Sequence, residues 1–101
     1  MNVTKGGLMR EKDIEKALVS AVKSFDGVCW KFVSPGISGV PDRIILMPNG
    51  RIAFVELKAP GKEMRPLQVR RKRQLEALGF RVYCIDCKEQ IMEVLNEIRT
   101  P

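Results

Sequence analysis

The stretch D-R-I-I-L-M-P-N-G-R-I-A-F-V-E-L-K, residues 42–58, decides how this chain is interpreted. Two apolar runs flank Pro48-Asn49-Gly50, a pattern typical of a β-hairpin. Charged side chains stand at its open end, with Asp42 opening the first strand and Glu56 and Lys58 closing the second. Charges inside strands cost stability unless they are paired or bind a metal. The stretch therefore predicts both a sheet and a candidate functional site.

The length of the turn fixes which side chains meet. A three-residue loop with Gly50 in the left-handed conformation makes Asp42 the direct cross-strand partner of Glu56, about 5 Å apart at Cβ. Lys58 follows two residues after Glu56 and shares its face. A two-residue turn would place the two carboxylates on opposite faces, so the prediction depends on the turn.

Patterns on either side of the hairpin predict an α/β sandwich with a mixed sheet in the order α-β-β-β-α-β-α. Residues 1–8 are expected to form a flexible tail and residues 9–98 a single domain. The predicted helices are Met9–Ser24, Pro66–Leu78 and Lys88–Ile98, and the predicted strands are Val28–Val33, Asp42–Met47, Arg51–Lys58 and Arg81–Asp86.

The composition favours a polyanionic partner. The 101 residues include 18 Lys plus Arg against 12 Asp plus Glu, a net charge of +6. Nucleic acid is the first expectation, although many small basic proteins bind nothing specific. No apolar run approaches the roughly 18–20 residues that cross a bilayer, and no signal peptide is evident. We expect an intracellular protein with no membrane partner.

The chain has no histidine and three cysteines. Histidine-based triads and histidine-ligated metals are thereby excluded, and one chain lacks the four ligands of a structural zinc site. Any hydrolysis must rest on carboxylates, lysine and a metal. Oxygen ligands alone favour Mg²⁺ or Mn²⁺.

Further polar residues have a functional and an ordinary interpretation. Glu15, on the flank of the first helix's apolar face, could be another metal ligand or a solvated glutamate, as could Glu11 one turn earlier. Gln68 at the start of the second helix could serve the site or be a surface amide. Asp42 and Glu56 could themselves belong to a salt-bridged strand terminus and an exposed edge.

A basic run on or beside the second helix predicts contacts with DNA phosphates, which are sensitive to salt and carry no sequence information. The alternative is a solvated helix face. The run comprises Arg65, Arg70, Arg71, Lys72 and Arg73, and Lys31, Arg43 and Lys62 extend it. Trp30, in a predicted strand, is expected in the core or a dimer interface.

Four segments together resemble the VRR-NUC nuclease family of the PD-(D/E)XK superfamily, which also holds Holliday-junction resolvases and restriction endonucleases. The segments are Gly39-Val40-Pro41-Asp42-Arg43, Phe54-Val55-Glu56-Leu57-Lys58, Pro60-Gly61 and Pro66-Leu67-Gln68. The resemblance covers roughly residues 9–98 and implies a restriction-endonuclease-like fold, with helices flanking the central sheet.

The resemblance also implies roles for individual residues. Asp42, Glu56 and the backbone carbonyl of Leu57 would bind Mg²⁺ or Mn²⁺, and Lys58 would be the catalytic lysine. Glu15 matches the family's helix-one glutamate better than Glu11, judged by its distance from Gly27. Gln68 matches a recurrent glutamine near the site, and stand-alone relatives imply a homodimer acting on branched DNA.

The resulting hypothesis is a metal-dependent endodeoxyribonuclease that is selective for four-way (Holliday) junctions as a homodimer. A rival is a non-catalytic DNA-binding module or nuclease accessory subunit, which would bind DNA without cutting it. A third reading, a structural dimerisation protein, predicts no salt-dependent affinity for DNA.

Overall fold

The computed structural model describes residues 10–101. The predicted tail, residues 1–8, and the predicted helix start at Met9 lie outside this range. The predicted element order and the mixed sheet are confirmed, with bounds that differ from the predicted ones by at most two residues. The elements are α1 (Glu11–Ser24), β1 (Val28–Lys31), β2 (Arg43–Met47), β3 (Arg51–Leu57), α2 (Pro66–Ala77), β4 (Arg81–Ile85) and α3 (Gln90–Arg99).

The four strands form one sheet in the order β1-β2-β3-β4. β1 and β2 are antiparallel, as are β2 and β3, whereas β3 and β4 are parallel. β3 is buried from Ala53 to Leu57, which explains its nearly continuous apolar sequence. No helix of the described part of the chain is both long and apolar enough to cross a membrane.

The β2–β3 turn has the predicted register. Met47 pairs with Arg51, and the ladder continues to the pair Arg43–Val55, so the next positions outward are Asp42 and Glu56. Gly50 has a φ angle of +71°, as expected for the left-handed conformation, and Asn49 is also left-handed, with a φ angle of +69°. Asparagine tolerates this region better than most residues. The turn therefore supplies the register that brings the two carboxylates together.

One side of the sheet, called here the inner face, carries the hydrophobic core. α1 buries Ile14, Leu18 and Val22 against it, and α3 contributes a second buried row. These side chains pack on strand residues that alternate towards the same side, namely Cys29, Ile45, Met47, Ala53, Val55, Leu57 and Ile85. Each fully buried aliphatic side chain of this kind stabilises the fold by about 1.5–3 kcal/mol.

The other side, called here the outer face, is covered by α2, whose buried side chain is that of Gln68. Phe54 is buried here and makes an edge contact with Phe80. Towards the β1 edge the apolar side chains of Val28 and Trp30 are exposed, Trp30 to 59%. The core position predicted as one option for Trp30 is therefore wrong.

Candidate active site

Asp42 and Glu56 lie at the end of the outer face where β2 begins and β3 ends. The Asp42 carboxylate accepts a hydrogen bond from the backbone N–H of Leu57, with a distance of 2.8 Å between Oδ2 and N. The Asp42 carbonyl accepts a hydrogen bond from Phe32, at 2.8 Å. These bonds fix Asp42 to the strands on both sides, beside the residue that follows Glu56.

Glu56 is the most buried charged residue described, with 2% of its surface exposed. Its Oε2 accepts a hydrogen bond from Gln68 and lies 3.6 Å from the Nζ atom of Lys58. Its Oε1 is buried without a hydrogen-bond partner. Burial first, and then the charge of Asp42, raises the pKa of Glu56 to about 7. An oxygen held in this way needs a proton or a cation.

Gln68 links the site to the beginning of α2. Its Nε2 donates to Glu56 at 2.6 Å, and its Oε1 accepts from the backbone N–H of Arg65 at 2.8 Å. The second bond is half of a capping box, which satisfies an N–H at the helix start. The surface-amide alternative for Gln68 is wrong, because the residue is 7% exposed. Glutamate would cap the helix equally well but would repel Glu56.

Lys58 follows the last residue of β3. Its backbone N–H donates to the carbonyl of Ile85 at 3.0 Å, so the main chain is still tied to β4 at this point. The side chain is 13% exposed, with its ammonium group beside Glu56. Lys58 is therefore held at the carboxylate pair as the sequence predicts.

The two candidate glutamates of α1 have different surroundings. Glu15 forms an ion pair with Arg43, with 2.9 Å between Oε2 and Nε, and Arg43 also donates to the carbonyl of Cys29 at 2.9 Å. Glu11 is exposed. Both glutamates line a cleft of about 250 Å³ with Asp42, called here the carboxylate cleft. The assignment of Glu15 as a metal ligand stays a prediction, and Glu11 faces the same cleft without an ion pair to a described residue.

The donor set fits a hard divalent cation. Within residues 10–101, no three cysteine, aspartate or glutamate side chains come together as a metal site. Asp42 and Glu56 would therefore hold the ion with the main-chain oxygen of Leu57 and with water. Mg²⁺ commonly binds through one or two carboxylates and keeps several waters. The unpartnered Oε1 of Glu56 is the observation that supports this fit.

The predicted basic residues divide into two groups. Arg65, Arg70, Arg73 and Lys62 are exposed on or before α2, and Lys31 is exposed at the end of β1, where it lines the carboxylate cleft. Three others make contacts within the chain, as the following bonds show: Arg43 to Glu15, Arg71 to the carbonyl of Ser38 at 2.8 Å, and Lys72 to Glu76 at 2.8 Å. Arg43 turns towards the inner face and is thus separated from the surface that the exposed group forms.

The sequence interpretation missed the attachment of the 34–40 loop to α2. Gly39 has φ +82, and a Cβ atom there would lie 2.7 Å from the Leu67 side chain and 3.1 Å from the Leu67 carbonyl oxygen. With the Arg71–Ser38 bond, this contact holds the loop against α2. The glycine and proline content marked the segment as a loop, but nothing in it identified its partner.

Comparisons with known proteins bear on the family and the fold of the chain. No family model matches the chain. A protein of Acyrthosiphon pisum secondary endosymbiont phage 1, named "Putative nuclease p44", is 51% identical over 82 residues, which cover 81% of this chain and 88% of that protein. A solved structure described as a VRR_NUC domain is similar with a TM-score of 0.80 and 25% identity, covering 85% of this chain and 94% of that one.

The chain belongs to the VRR-NUC nuclease family. The predicted resemblance and the predicted fold class are thereby confirmed. Within the VRR-NUC fold of this chain, the Asp42–Glu56 pair and Lys58 lie together at one end of the sheet. The 34–40 loop and the first turn of α2 adjoin this end.

Proposed function

We propose that this VRR-NUC protein is an endonuclease that hydrolyses phosphodiester bonds of DNA with Mg²⁺ or Mn²⁺. The observation that carries the proposal is the buried Glu56 carboxylate, which lies opposite Asp42 and beside Lys58 with one oxygen unpartnered. A structural carboxylate in this position would be destabilising. A cation-binding carboxylate has a reason to be there.

Hydrolysis adds a water oxygen to phosphorus and breaks one P–O ester bond, and the departing oxygen must gain a proton. The Lys58 ammonium group, next to Glu56, can orient the attacking water and donate hydrogen bonds to phosphate oxygens as negative charge develops. Asp42 and Glu56 would hold the cation, which when bound lowers the pKa of water and polarises the phosphate. Gln68 keeps Glu56 in place through its amide.

The exposed basic residues of α2 support DNA as the substrate. Arg70 and Arg73 lie within two turns of Gln68 on the same helix and are exposed, so they can contact phosphates of DNA that is bound beside the carboxylate pair. Contacts of this kind bind DNA without reading its sequence. They fit an enzyme that recognises the shape of its substrate.

A homodimer acting on four-way junctions is the finer part of the proposal. Between the site and the β1 edge, the outer face carries only uncharged side chains at its strand positions, those of Val28, Trp30, Ile44, Leu46, Ile52 and the buried Phe54. DNA needs cations, so this surface suits an apolar partner, and a second copy would bury it symmetrically. Two active sites would then cut two strands of one junction.

The first test compares a labelled four-way junction with a linear duplex of matched sequence. Each is incubated with Mg²⁺, Mn²⁺ or EDTA, using wild-type protein, Lys58→Ala and the control Lys23→Ala at the exposed end of α1. We expect metal-dependent cutting of the junction by wild type and Lys23→Ala only. Salt-sensitive binding without cutting in either metal would instead support an accessory DNA-binding subunit.

The dimer is tested separately by light scattering. Trp30→Arg should convert the dimer to a monomer. The variant should then no longer cut two strands of the same junction in one binding event. Met92→Arg, which changes an exposed apolar residue of α3, is the matched control and should leave both unchanged. A wild-type protein that is monomeric with and without DNA would contradict this part of the proposal.

A further inference from the structure

A second cleft adjoins the active site and is largely apolar. It measures about 190 Å³ and lies between the 34–40 loop and α2. Its walls include Phe32 and Ile37 on one side and Leu75 and Leu78 on the other. Ile37 is 49% exposed and Leu78 is 70% exposed. We call it the apolar cleft.

The two clefts meet at Phe32, which lines both of them. The backbone N–H of Phe32 donates to the carbonyl of Asp42. Phe32 is therefore the direct neighbour of a residue that we propose to be catalytic. An edge contact with Phe54, with ring centroids 5.2 Å apart, supports the ring from below. Whatever enters the apolar cleft therefore lies next to the substrate of the nuclease.

The apolar cleft is held open by contacts within the chain, between the 34–40 loop and α2. Arg71 fixes the loop through the Ser38 carbonyl, and the absence of a side chain at Gly39 lets the loop approach Leu67. A cleft that already exists before binding takes its ligand without the cost of ordering its walls. This makes it a candidate binding site rather than a gap between mobile segments.

Polar and positive groups surround the apolar walls. Arg71 and Gln74 also line the cleft, and their side chains lie 3.4 Å apart. Arg70 and Arg73 are exposed on the same helix. Apolar walls with an aromatic ring, rimmed by arginine, match a nucleobase whose sugar-phosphate backbone stays at the surface. The volume is too small for a drug-sized ligand and fits a single ring system.

We propose that the apolar cleft takes one unstacked nucleobase of the DNA being cut, so that the enzyme recognises unpaired or branched DNA. This inference rests on the proposed nuclease function. Leu75 lies seven residues, about 10 Å, along α2 from Gln68, and a stacked DNA strand advances about 3.4 Å per nucleotide, which an unstacked strand can exceed. Because Phe32 of the same cleft is bonded to Asp42 itself, the captured base lies within about three nucleotides of the bond that is cut.

The experiment measures capture of a base separately from cleavage. DNA carrying 2-aminopurine, whose fluorescence reports unstacking, is titrated with wild-type protein in EDTA, with the probe either unpaired or fully paired. The variants are Ile37→Ser with Leu78→Ser, both at exposed positions, and the control is Met92→Ser on α3. We expect the double variant to lose about tenfold in affinity for the unpaired DNA and less than twofold for the duplex.

Cutting positions give a second measure. With Mg²⁺ or Mn²⁺, wild type should cut at one position within about three nucleotides of the unpaired base, and the double variant should cut at scattered positions. Equal losses of affinity on both DNAs, or no loss on either, would overturn the inference. So would conversion of a wild-type dimer to monomer by the double variant, since the cleft would then belong to the surface between copies. If no DNA is cut by wild type while base capture persists, the nuclease proposal fails and the cleft's specificity for bases stands.

Discussion

The two faces of the sheet are held by different kinds of contact. On the inner face, α1 and α3 dock through rows of buried aliphatic side chains. On the outer face, α2 docks with one buried side chain, the amide of Gln68. The buried polar residues of the described chain, Glu56 and Gln68, both belong to the outer face. The hydrophobic core and the candidate active site thus lie on opposite faces of the same sheet.

The difference teaches why a domain of this size can tolerate a buried carboxylate. Glu56 opposes folding, because burial removes its water and leaves Oε1 without a partner. The inner-face core offsets that cost without sharing any side chain with the site. Alternation along β3 makes this possible, since Val55 and Leu57 point to one face and Glu56 to the other.

The strongest test of this division is Glu56→Gln, which removes the charge and keeps the shape. Cleavage should fall about 10³-fold or more, equivalent to about 4 kcal/mol in the barrier. The unfolding free energy without metal should stay the same or rise, because the substitution removes repulsion from Asp42. Cleavage rates and urea denaturation measure the two effects, with Glu93→Gln on α3 as control. A large loss of stability would mean that Glu56 holds the fold together.

The opposite result is expected from Leu18→Ala on the inner face. Truncation of a fully buried leucine should cost about 2–5 kcal/mol, measured by urea denaturation. The protein that remains folded should keep its cleavage rate. Leu78→Ala, at the residue that ends α2, is the matched comparison and should cost less than about 1 kcal/mol, since Leu78 is 70% exposed. Equal costs at the two leucines would remove the distinction between the faces.

Much of this arrangement could be predicted from the sequence, because it depends on short-range geometry. The Pro48-Asn49-Gly50 turn fixed the hairpin register, and the register brought Asp42 opposite Glu56. The same alternation shows that Arg43, next to Asp42, must face the other side, where it pairs with Glu15. The sequence interpretation nevertheless grouped Arg43 with the DNA contacts, although the spacing contained the information to separate it.

Other features depend on contacts between distant segments and had no local signal. A glutamine three residues into a helix looks the same in sequence whether it faces solvent or Glu56. The pairing of Arg71 with Ser38 joins positions 33 residues apart. Lys72 is an intermediate case, because its partner Glu76 stands four residues later, a spacing that favours an ion pair within a helix.

Gln68 makes both a local contact, the helix cap at Arg65, and a contact with a distant residue of the site, Glu56. Its variants should therefore have intermediate effects. Gln68→Ala should reduce cleavage about 10–100-fold, as for other groups that orient metal ligands, and cost about 1 kcal/mol through the lost cap. Gln68→Glu should keep the cap but place a third carboxylate against Glu56. The melting temperature without metal should therefore be lower for Gln68→Glu than for Gln68→Ala. The reverse order would show that the contact with Glu56 does not determine the stability at this position.

The smallest effects are expected on the exposed surface of α2. Arg73→Ala should weaken DNA binding a few-fold and reduce the salt dependence of affinity by about one counterion. Fluorescence anisotropy at several salt concentrations measures this, with Lys16→Ala on α1 as control. An unchanged salt slope for Arg73→Ala would place the DNA on another surface of the molecule.

The one buried side chain of α2, that of Gln68, also bears on the order in which the protein folds. Asp42 and Glu56 stand 14 residues apart in one hairpin, a local structure that forms rapidly. Gln68 can reach Glu56 only after the first turn of α2 has formed and docked. We therefore expect the carboxylates to meet early and the support of Glu56 to arrive last. A newly made or partly unfolded chain would then carry its proposed catalytic side chains but only a small part of their activity, and full activity would come with the final docking step.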